Sequence, residues 1–152
     1  MVRLEGLKGL TRAVIGAAIE VHRVLGPGFS EATYERALCA ELGVRGIPYE
    51  EQAIVVVRYK DLPVGEMRVD VLVADALILE LKAVDAHSPV HVAQVLSYLK
   101  ATGLPLGLLI NFNVRVLRDG IRRIVWTHPQ TSALSSPSLR LCDEKQSDGV
   151  ED

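Results

Sequence analysis

Apolar residues recur at helical spacing in two segments near the N-terminus. Between Leu7 and Leu25 they lie three or four residues apart, and Gly26-Pro27-Gly28 ends the pattern. Ser30 is a suitable N-cap for a second helix, whose apolar stripe continues until Gly43. The pattern therefore predicts two consecutive helices.

The period of the pattern then changes from that of a helix to that of a strand. Three short runs of β-branched and aliphatic residues follow, separated by Lys60-Asp61-Leu62-Pro63 and by Ala74-Asp75. We expect these runs to form an antiparallel meander. The predicted strands are Ile54 to Tyr59, Met67 to Val73 and Ala76 to Leu81.

One more helix and two more strands complete the predicted order. Ser88 and Pro89 suit the N-cap and the first position of a helix, and Gly103 suits its C-terminal end. Leu106 to Phe112 is a nearly continuous apolar run, which is typical of a strand covered on both faces, and Ile121 to Trp126 is a final strand. The order ααβββαββ indicates an α/β domain.

The composition allows one domain with a core of its own. The chain has 152 residues, of which 49% are hydrophobic, and single domains usually have ~100–200 residues. We expect a domain over residues 1–128. Residues 129–152 are rich in Ser, Pro and acidic side chains, which predicts a mobile tail.

Charge and cysteine content narrow the functional classes. The formal net charge is −2, so no global basic field indicates a polyanionic partner. Cys39 and Cys142 are too few for a disulfide framework, and neither has the neighbours of a zinc site. No signal peptide is recognisable, and no apolar run approaches the ~18–20 residues that span a bilayer. We therefore expect a cytoplasmic protein with two unpaired thiols and no membrane contact.

Strand alternation places charged side chains on the face of each strand opposite its aliphatic side chains. Asp70 points away from its valine neighbours in the second strand, and Glu80 and Lys82 point away from the leucines of the third. If Ala74-Asp75-Ala76 is a three-residue loop, Asp70 pairs with Glu80 and Arg68 with Lys82, whereas a two-residue loop would place them on opposite faces. We prefer the three-residue loop because it also stacks one apolar layer. That layer would consist of Val69, Val71, Val73, Leu77, Leu79 and Leu81.

Two facing carboxylates repel each other unless a cation lies between them. Oxygen ligands with open positions suit Mg²⁺ or Mn²⁺, which would activate a bound water and stabilise charge on a phosphoryl oxygen. Lys82 would hold that water or offset the developing charge. The alternative is a plain charge ladder on a solvated sheet face, in which Lys82 neutralises Asp70 and Glu80.

The third helix carries a second candidate group. His91, Gln94 and Tyr98 form a line beside the apolar stripe, so Gln94 and Tyr98 can reach one target together. The alternative is a helix edge with a half-buried tyrosine. Glu31 lies in the first turn of the second helix, where a carboxylate is favourable for the helix dipole alone.

Other polar residues have simpler interpretations. His22 lies on an apolar helix face and is expected to be a hydrogen-bonded core histidine. A basic cluster near the last strands would contact phosphates or form a solvated edge. It consists of Arg115, Arg118, Arg122 and Arg123.

The residues from Gly28 to Tyr34, GFSEATY, fit a G-x-x-E-x-x-Y signature. Together with IGAAIEVHRVLGPG, RVDVLVADALILELKAV, HVAQVLSYLKATGLPLGLLINF and GIRRIV, they make the chain resemble the GxxExxY protein family. That family is a branch of the PD-(D/E)XK nuclease-like superfamily. The resemblance covers roughly Leu10 to Val125 and implies a restriction-endonuclease-like αβββαβ core, with a mixed central sheet flanked by helices and an extra N-terminal helix.

The resemblance also implies a site. Asp70 and Glu80 would bind Mg²⁺ or Mn²⁺ and, with Lys82, carry the catalysis, while Leu81 and Glu31 complete the expected metal set. Val69 stands where the superfamily nominally has Pro, a loosely required position. Gln94 and Tyr98 match an additional Q-x-x-x-Y element that would support the site or contact the substrate.

Two functions remain open at the level of sequence. The first is a metal-dependent nuclease that hydrolyses phosphodiester bonds of DNA or RNA. The alternative is a catalytically silent nuclease-fold module that acts through protein or nucleic-acid contacts. A chain of this size has little surface with which to hold a duplex, so we also expect a homodimer.

Overall fold

The computed structural model describes residues 2–127. Every element of the predicted order ααβββαββ is present, and two short 3-10 helices, Leu4–Leu7 and Leu117–Gly120, precede the first and the last. The expected tail and Cys142 lie outside the described residues. The elements are α1 (Lys8–Leu25), α2 (Glu31–Val44), β1 (Tyr49–Tyr59), β2 (Leu62–Val73), β3 (Leu77–Lys82), α3 (Pro89–Thr102), β4 (Leu106–Asn111) and β5 (Ile121–Val125).

The five strands form one mixed sheet in the order β1-β2-β3-β4-β5. All neighbouring pairs are antiparallel except β3 and β4, which are parallel. A parallel pair needs a crossover connection, and α3 provides it. The expected meander of β1, β2 and β3 is confirmed, as is the α/β fold with its additional N-terminal helix.

The helix ends follow the local chemistry of the sequence. The Ser30 hydroxyl accepts a hydrogen bond from the Thr33 N–H at the start of α2. Ser88 forms a capping box with His91 at the start of α3, where Pro89 is the first helical residue. Gly103 ends α3 in the left-handed conformation, with φ 81°. The predicted caps are therefore confirmed.

Two hydrophobic cores lie on opposite faces of the sheet. The first joins α1 and α2 to residues such as Leu79 and Leu81, and the second joins α3 to residues such as Ile78 and Leu109. His22 is buried in the first, where its Nε2 donates to the Val114 carbonyl at 2.7 Å, as expected of a core histidine. Because alternate residues of β3 enter opposite cores, Glu80 and Lys82 share the α3 side with Ile78.

The predicted apolar layer is wrong at one position. Val71 packs in the first core, but Val69, two residues away, packs in the second with Ile78 and Tyr98. Residues two apart in a regular strand share a face. The alternation of β2 is thus broken between Val69 and Val71, at Asp70.

The first two strands are also longer than predicted. β1 begins at Tyr49, and Leu62 and Pro63, which were expected in a turn, pair with β1 at the start of β2. Proline is compatible with such a strand end. The hydrophobic pattern missed these segments because their side chains are mostly exposed.

No helix within residues 2–127 combines the length and the apolar character needed to cross a bilayer. Cys39 is buried in the first core and forms no disulfide within residues 2–127, and burial raises the pKa of its thiol to about 12.

Candidate metal and nuclease site

The β2–β3 hairpin has the three-residue connection that the sequence favours. Val73 pairs with Leu77 and Val71 with Leu79, the register that the sequence predicts for this hairpin. The ladder ends at Val71, however. The expected pairing of Arg68 with Lys82 is wrong, because the two strands have separated before Arg68, which pairs only with Ile54 of β1.

Where β2 and β3 separate, a hydrogen bond to the Asp70 side chain takes the place of backbone pairing. Asp70 Oδ2 accepts this hydrogen bond from the Leu81 N–H at 2.8 Å. Burial raises the pKa of Asp70, while the Leu81 N–H and the Lys82 ammonium oppose that rise. The carboxylate is therefore fixed at one oxygen and held in a partly desolvated position.

Glu80 is a buried carboxylate with an incomplete set of partners. It is 3% exposed, and its Oε2 lies 3.3 Å from Lys82 Nζ, whereas its Oε1 has no hydrogen-bond partner within residues 2–127. Burial and then the Asp70 charge raise the pKa of Glu80 to about 7, against the lowering effect of Lys82. The single ammonium of Lys82 cannot balance the two carboxylates of Asp70 and Glu80, so this cluster favours a further cation.

The predicted pair on α3 lies against these carboxylates. Gln94 Nε2 donates to the Tyr98 hydroxyl at 2.9 Å. Tyr98 is 3% exposed rather than half-buried, and burial, followed by the charges of Glu80 and Asp70, raises the pKa of Tyr98 to about 12. The tyrosine is thus a neutral wall of the site rather than a solvated helix edge.

Glu31 reaches the site from α2 at a different point. It is exposed, and its Oε2 accepts a long hydrogen bond from the Ala83 N–H at 3.4 Å. Its charge raises the pKa of both Asp70 and Glu80. Within residues 2–127 no group of three or more His, Cys, Asp or Glu side chains is arranged to hold a metal ion. Glu31 is therefore adjacent to the carboxylate pair without completing a three-carboxylate cluster.

The donor set nevertheless fits a hydrated hard cation. In a strand, the N–H and the C=O of one residue point toward the same neighbouring strand. Since the Leu81 N–H points to Asp70, the Leu81 carbonyl faces the same gap. Mg²⁺ is commonly held by one or two carboxylates and keeps several waters. Asp70, Glu80 and the Leu81 carbonyl could together hold such an ion, for which Glu80 Oε1 would be a free ligand atom.

Sequence reasoning missed two residues beside Asp70. Gln52 Nε2 donates to both oxygens of Glu35, each at 2.9 Å. Burial raises the pKa of Glu35 to about 7, opposed by Gln52, while Glu51 and Asp70 raise it further. Glu35 was detectable, because it lies one helical turn after Glu31 on the same face of α2. No sequence signal indicated Gln52.

Two further polar residues hold the chain after Lys82. Asn111 is 2% exposed, and its side chain accepts from the Val84 N–H at 3.1 Å and donates to the Val84 carbonyl at 2.8 Å. His91 Nδ1 accepts from the Ser88 N–H at 3.2 Å, so a neutral His91 carries its proton on Nε2. Burial lowers the pKa of His91, and Lys82 lowers it further.

The basic cluster is not part of this group. Its four arginines are exposed and lie in β5 and the segment before it, at the other edge of the sheet from β1.

A family model described as the PD-(D/E)XK nuclease superfamily matches residues 8–124 of the chain. The match begins with α1 and ends within β5, so it includes every residue of the carboxylate pair and its surroundings. No curated protein matches the chain.

Proposed function

The chain belongs to the PD-(D/E)XK nuclease superfamily, and on that premise we propose that it is a metal-dependent nuclease that hydrolyses phosphodiester bonds of DNA or RNA. The observation that carries the proposal is the unpaired, buried Glu80 Oε1 beside Asp70. A buried carboxylate oxygen without a partner is unfavourable, and a bound divalent cation would satisfy it.

The proposed ligands are Asp70, Glu80 and the Leu81 carbonyl, with Glu31 beside them. Mg²⁺ is the proposed physiological ion and Mn²⁺ a substitute. The ion, when bound, would lower the pKa of a water ligand and stabilise charge on a phosphoryl oxygen.

Lys82 is the proposed water-positioning residue. Its ammonium has three N–H donors, and Glu80 Oε2 at 3.3 Å faces one of them. The other donors can hold the attacking water and offset negative charge on the phosphoryl group as the P–O bond to the leaving oxygen breaks. Tyr98 and Gln94 close the opposite wall and keep Glu80 out of bulk water.

We further propose that the chain represents the GxxExxY branch of the superfamily. Gly28 has φ 110°, a conformation that favours glycine. The Tyr34 hydroxyl accepts from the Phe29 N–H and donates to the Gly26 carbonyl. Two of the three signature residues thus shape the turn before α2, and this turn presents the third, Glu31. The cytoplasmic location and the homodimer remain predictions.

Nuclease assays with four substrate types test the proposed activity. Wild type should cut single- or double-stranded DNA or RNA in Mg²⁺ or Mn²⁺. Asp70→Asn and Lys82→Ala should each reduce the rate by a factor of about 100 or more, since removal of one electrostatic group commonly has such an effect. Asp75→Asn and Lys60→Ala, in the two hairpin turns, are matched controls that should retain activity.

Cleavage that survives both site variants would overturn the assignment to this site. An inactive wild type that binds no Mn²⁺ in calorimetry but retains a stable protein partner would instead identify the silent nuclease-fold module.

A further inference from the structure

The pairing of β1 with β2 is interrupted opposite Asp70. Glu51 pairs with Val71 and Ala53 with Val69, but the ladder skips the position between them, where Gln52 faces Asp70. Gln52 has φ 55°. This left-handed conformation is disfavoured for residues with a Cβ atom, and it occurs here in the interior of a strand.

The conformation is specific to this position. The other non-glycine residues with positive φ within residues 2–127 all lie in the two hairpin turns of the meander, where such conformations are usual. They are Lys60, Asp61, Ala74 and Asp75. Strained backbone inside a regular element persists where the surroundings over-determine it, and it clusters at functional sites.

The interruption accounts for the change of face in β2. Val69 and Ala53 pack in the second core, on the α3 side, whereas Val71 packs in the first. Asp70 lies at the change and is released from regular pairing with β1. Its carboxylate can therefore turn toward the Leu81 N–H, from which it accepts a hydrogen bond at 2.8 Å.

The Gln52 side chain connects this point to α2. Its amide donates to both Glu35 oxygens at 2.9 Å. Burial raises the pKa of Asp70, and hydrogen bonding from Gln52 is among the effects that oppose the rise. The amide is thus fixed on Glu35, a carboxylate whose pKa the nearby Asp70 charge raises.

We propose that Gln52 is a positioning residue for Asp70: its left-handed backbone opens the β1–β2 ladder, and its amide, bonded to Glu35, holds that backbone in place so that the Asp70 carboxylate stays turned toward Leu81. The positioning of Asp70 does not depend on a metal. The effect that we expect on metal binding rests on the proposed function. The competing explanation is that Gln52 only attaches α2 to the sheet.

Hydrogen exchange of the Leu81 amide tests the proposal without metal. Gln52→Gly and Gln52→Asn both suit the left-handed backbone, and both remove the reach of the amide. If Gln52 positions Asp70, the Leu81 N–H should exchange at least tenfold faster in both variants. The Leu79 N–H, in the regular part of the hairpin, should change less than twofold. Ala74→Gly, at another left-handed position, is the matched control and should leave Leu81 unchanged.

Mn²⁺ affinity, measured by electron paramagnetic resonance of free Mn²⁺ on the same full-length variants, tests the consequence for the metal. The dissociation constant should rise about tenfold in both Gln52 variants and stay within twofold in Ala74→Gly. Unchanged Leu81 exchange in both Gln52 variants would overturn the positioning role. Faster Leu81 exchange in a protein whose wild type binds no Mn²⁺ would support that role and reject the proposed function.

Discussion

Glu80 Oε2 lies 3.3 Å from Lys82 Nζ, and the other carboxylate oxygen is buried without a hydrogen-bond partner among residues 2–127. Burial and Asp70 raise the pKa of Glu80 to about 7, compared with about 4.3 for an unfolded glutamate. The folded state therefore binds this proton more tightly than the unfolded state does. Protonation of Glu80 therefore stabilises the folded state. This stabilisation is complete below the unfolded pKa and is lost as the pH rises through about 7.

We expect Glu80→Gln to stabilise the metal-free protein at pH 8. The amide removes the buried charge, which should raise the free energy of unfolding by about 1–3 kcal/mol at pH 8. The gain should shrink toward pH 5, where wild-type Glu80 is protonated when folded. Urea unfolding in EDTA at both pH values measures it, with the exposed Glu66→Gln as the control for the chemical change. A gain that is larger at pH 5 than at pH 8 would contradict the electrostatic explanation.

Local patterns were sufficient to predict several single residues of the site. The three-residue loop gave the register of the β2–β3 hairpin, and helical spacing placed Gln94 beside Tyr98. Gln52 could not be predicted, because its left-handed backbone results from tertiary contacts and glutamine has no preference for it. Side-chain convergence likewise depends on the whole fold, which is why the position of Glu31 at Ala83 was not predicted.

Among the elements, the segment between β4 and β5 supports the site from behind. Asn111, the last residue of β4, holds the chain after Lys82 through Val84. Gly120 packs against the Asn111 backbone, where a side chain would overlap the carbonyl oxygen, and its own carbonyl accepts from His87 Nε2 at 2.9 Å. This glycine is therefore required for close backbone approach.

Gly120→Ala should reduce the free energy of unfolding by about 1–3 kcal/mol, as overpacking of a filled interior generally does. Displacement of Asn111 should also loosen the chain at Val84, detectable as faster exchange of the Val84 amide. Gly9→Ala in α1 is the control, because its new Cβ would meet no atom within 4 Å and alanine favours a helix by roughly 0.5–1 kcal/mol. Equal stability changes in the two variants would show that packing at Gly120 is unimportant.

The type and order of the helices and strands were more predictable than the lengths and irregularities of the strands. Caps and glycine stops gave the helix ends because these signals act on neighbouring residues. The ends of β1 and β2 were missed where exposed side chains removed the hydrophobic alternation. The change of face at Asp70 was missed because a two-residue period assumes a regular strand.

At the scale of the whole molecule, residues 2–127 contain two cores joined by one sheet. The matched family region, residues 8–124, lies within them. The division into a domain over residues 1–128 and a tail over residues 129–152 remains a prediction.

A chain ending at His128 should unfold within about 2 °C of the full chain, since it keeps both cores of residues 2–127. A chain ending at Phe112 is the control. It lacks β5, so the buried strand β4 would become a free edge, and we expect it to aggregate or remain unfolded. Differential scanning calorimetry compares the three chains. A large fall in the melting temperature of the first truncation would show that the domain extends beyond residue 128.

The parallel pair β3–β4 also predicts an order in which the site assembles, because β4 follows α3 in the chain. The β2–β3 hairpin requires only neighbouring residues and can form as soon as it is free to fold. Tyr98 and β4 come later in the chain, so we expect Asp70 and Glu80 to come together while water still covers them. Their desolvation belongs to the late docking of α3, and a cation present at that moment would ease the last folding step.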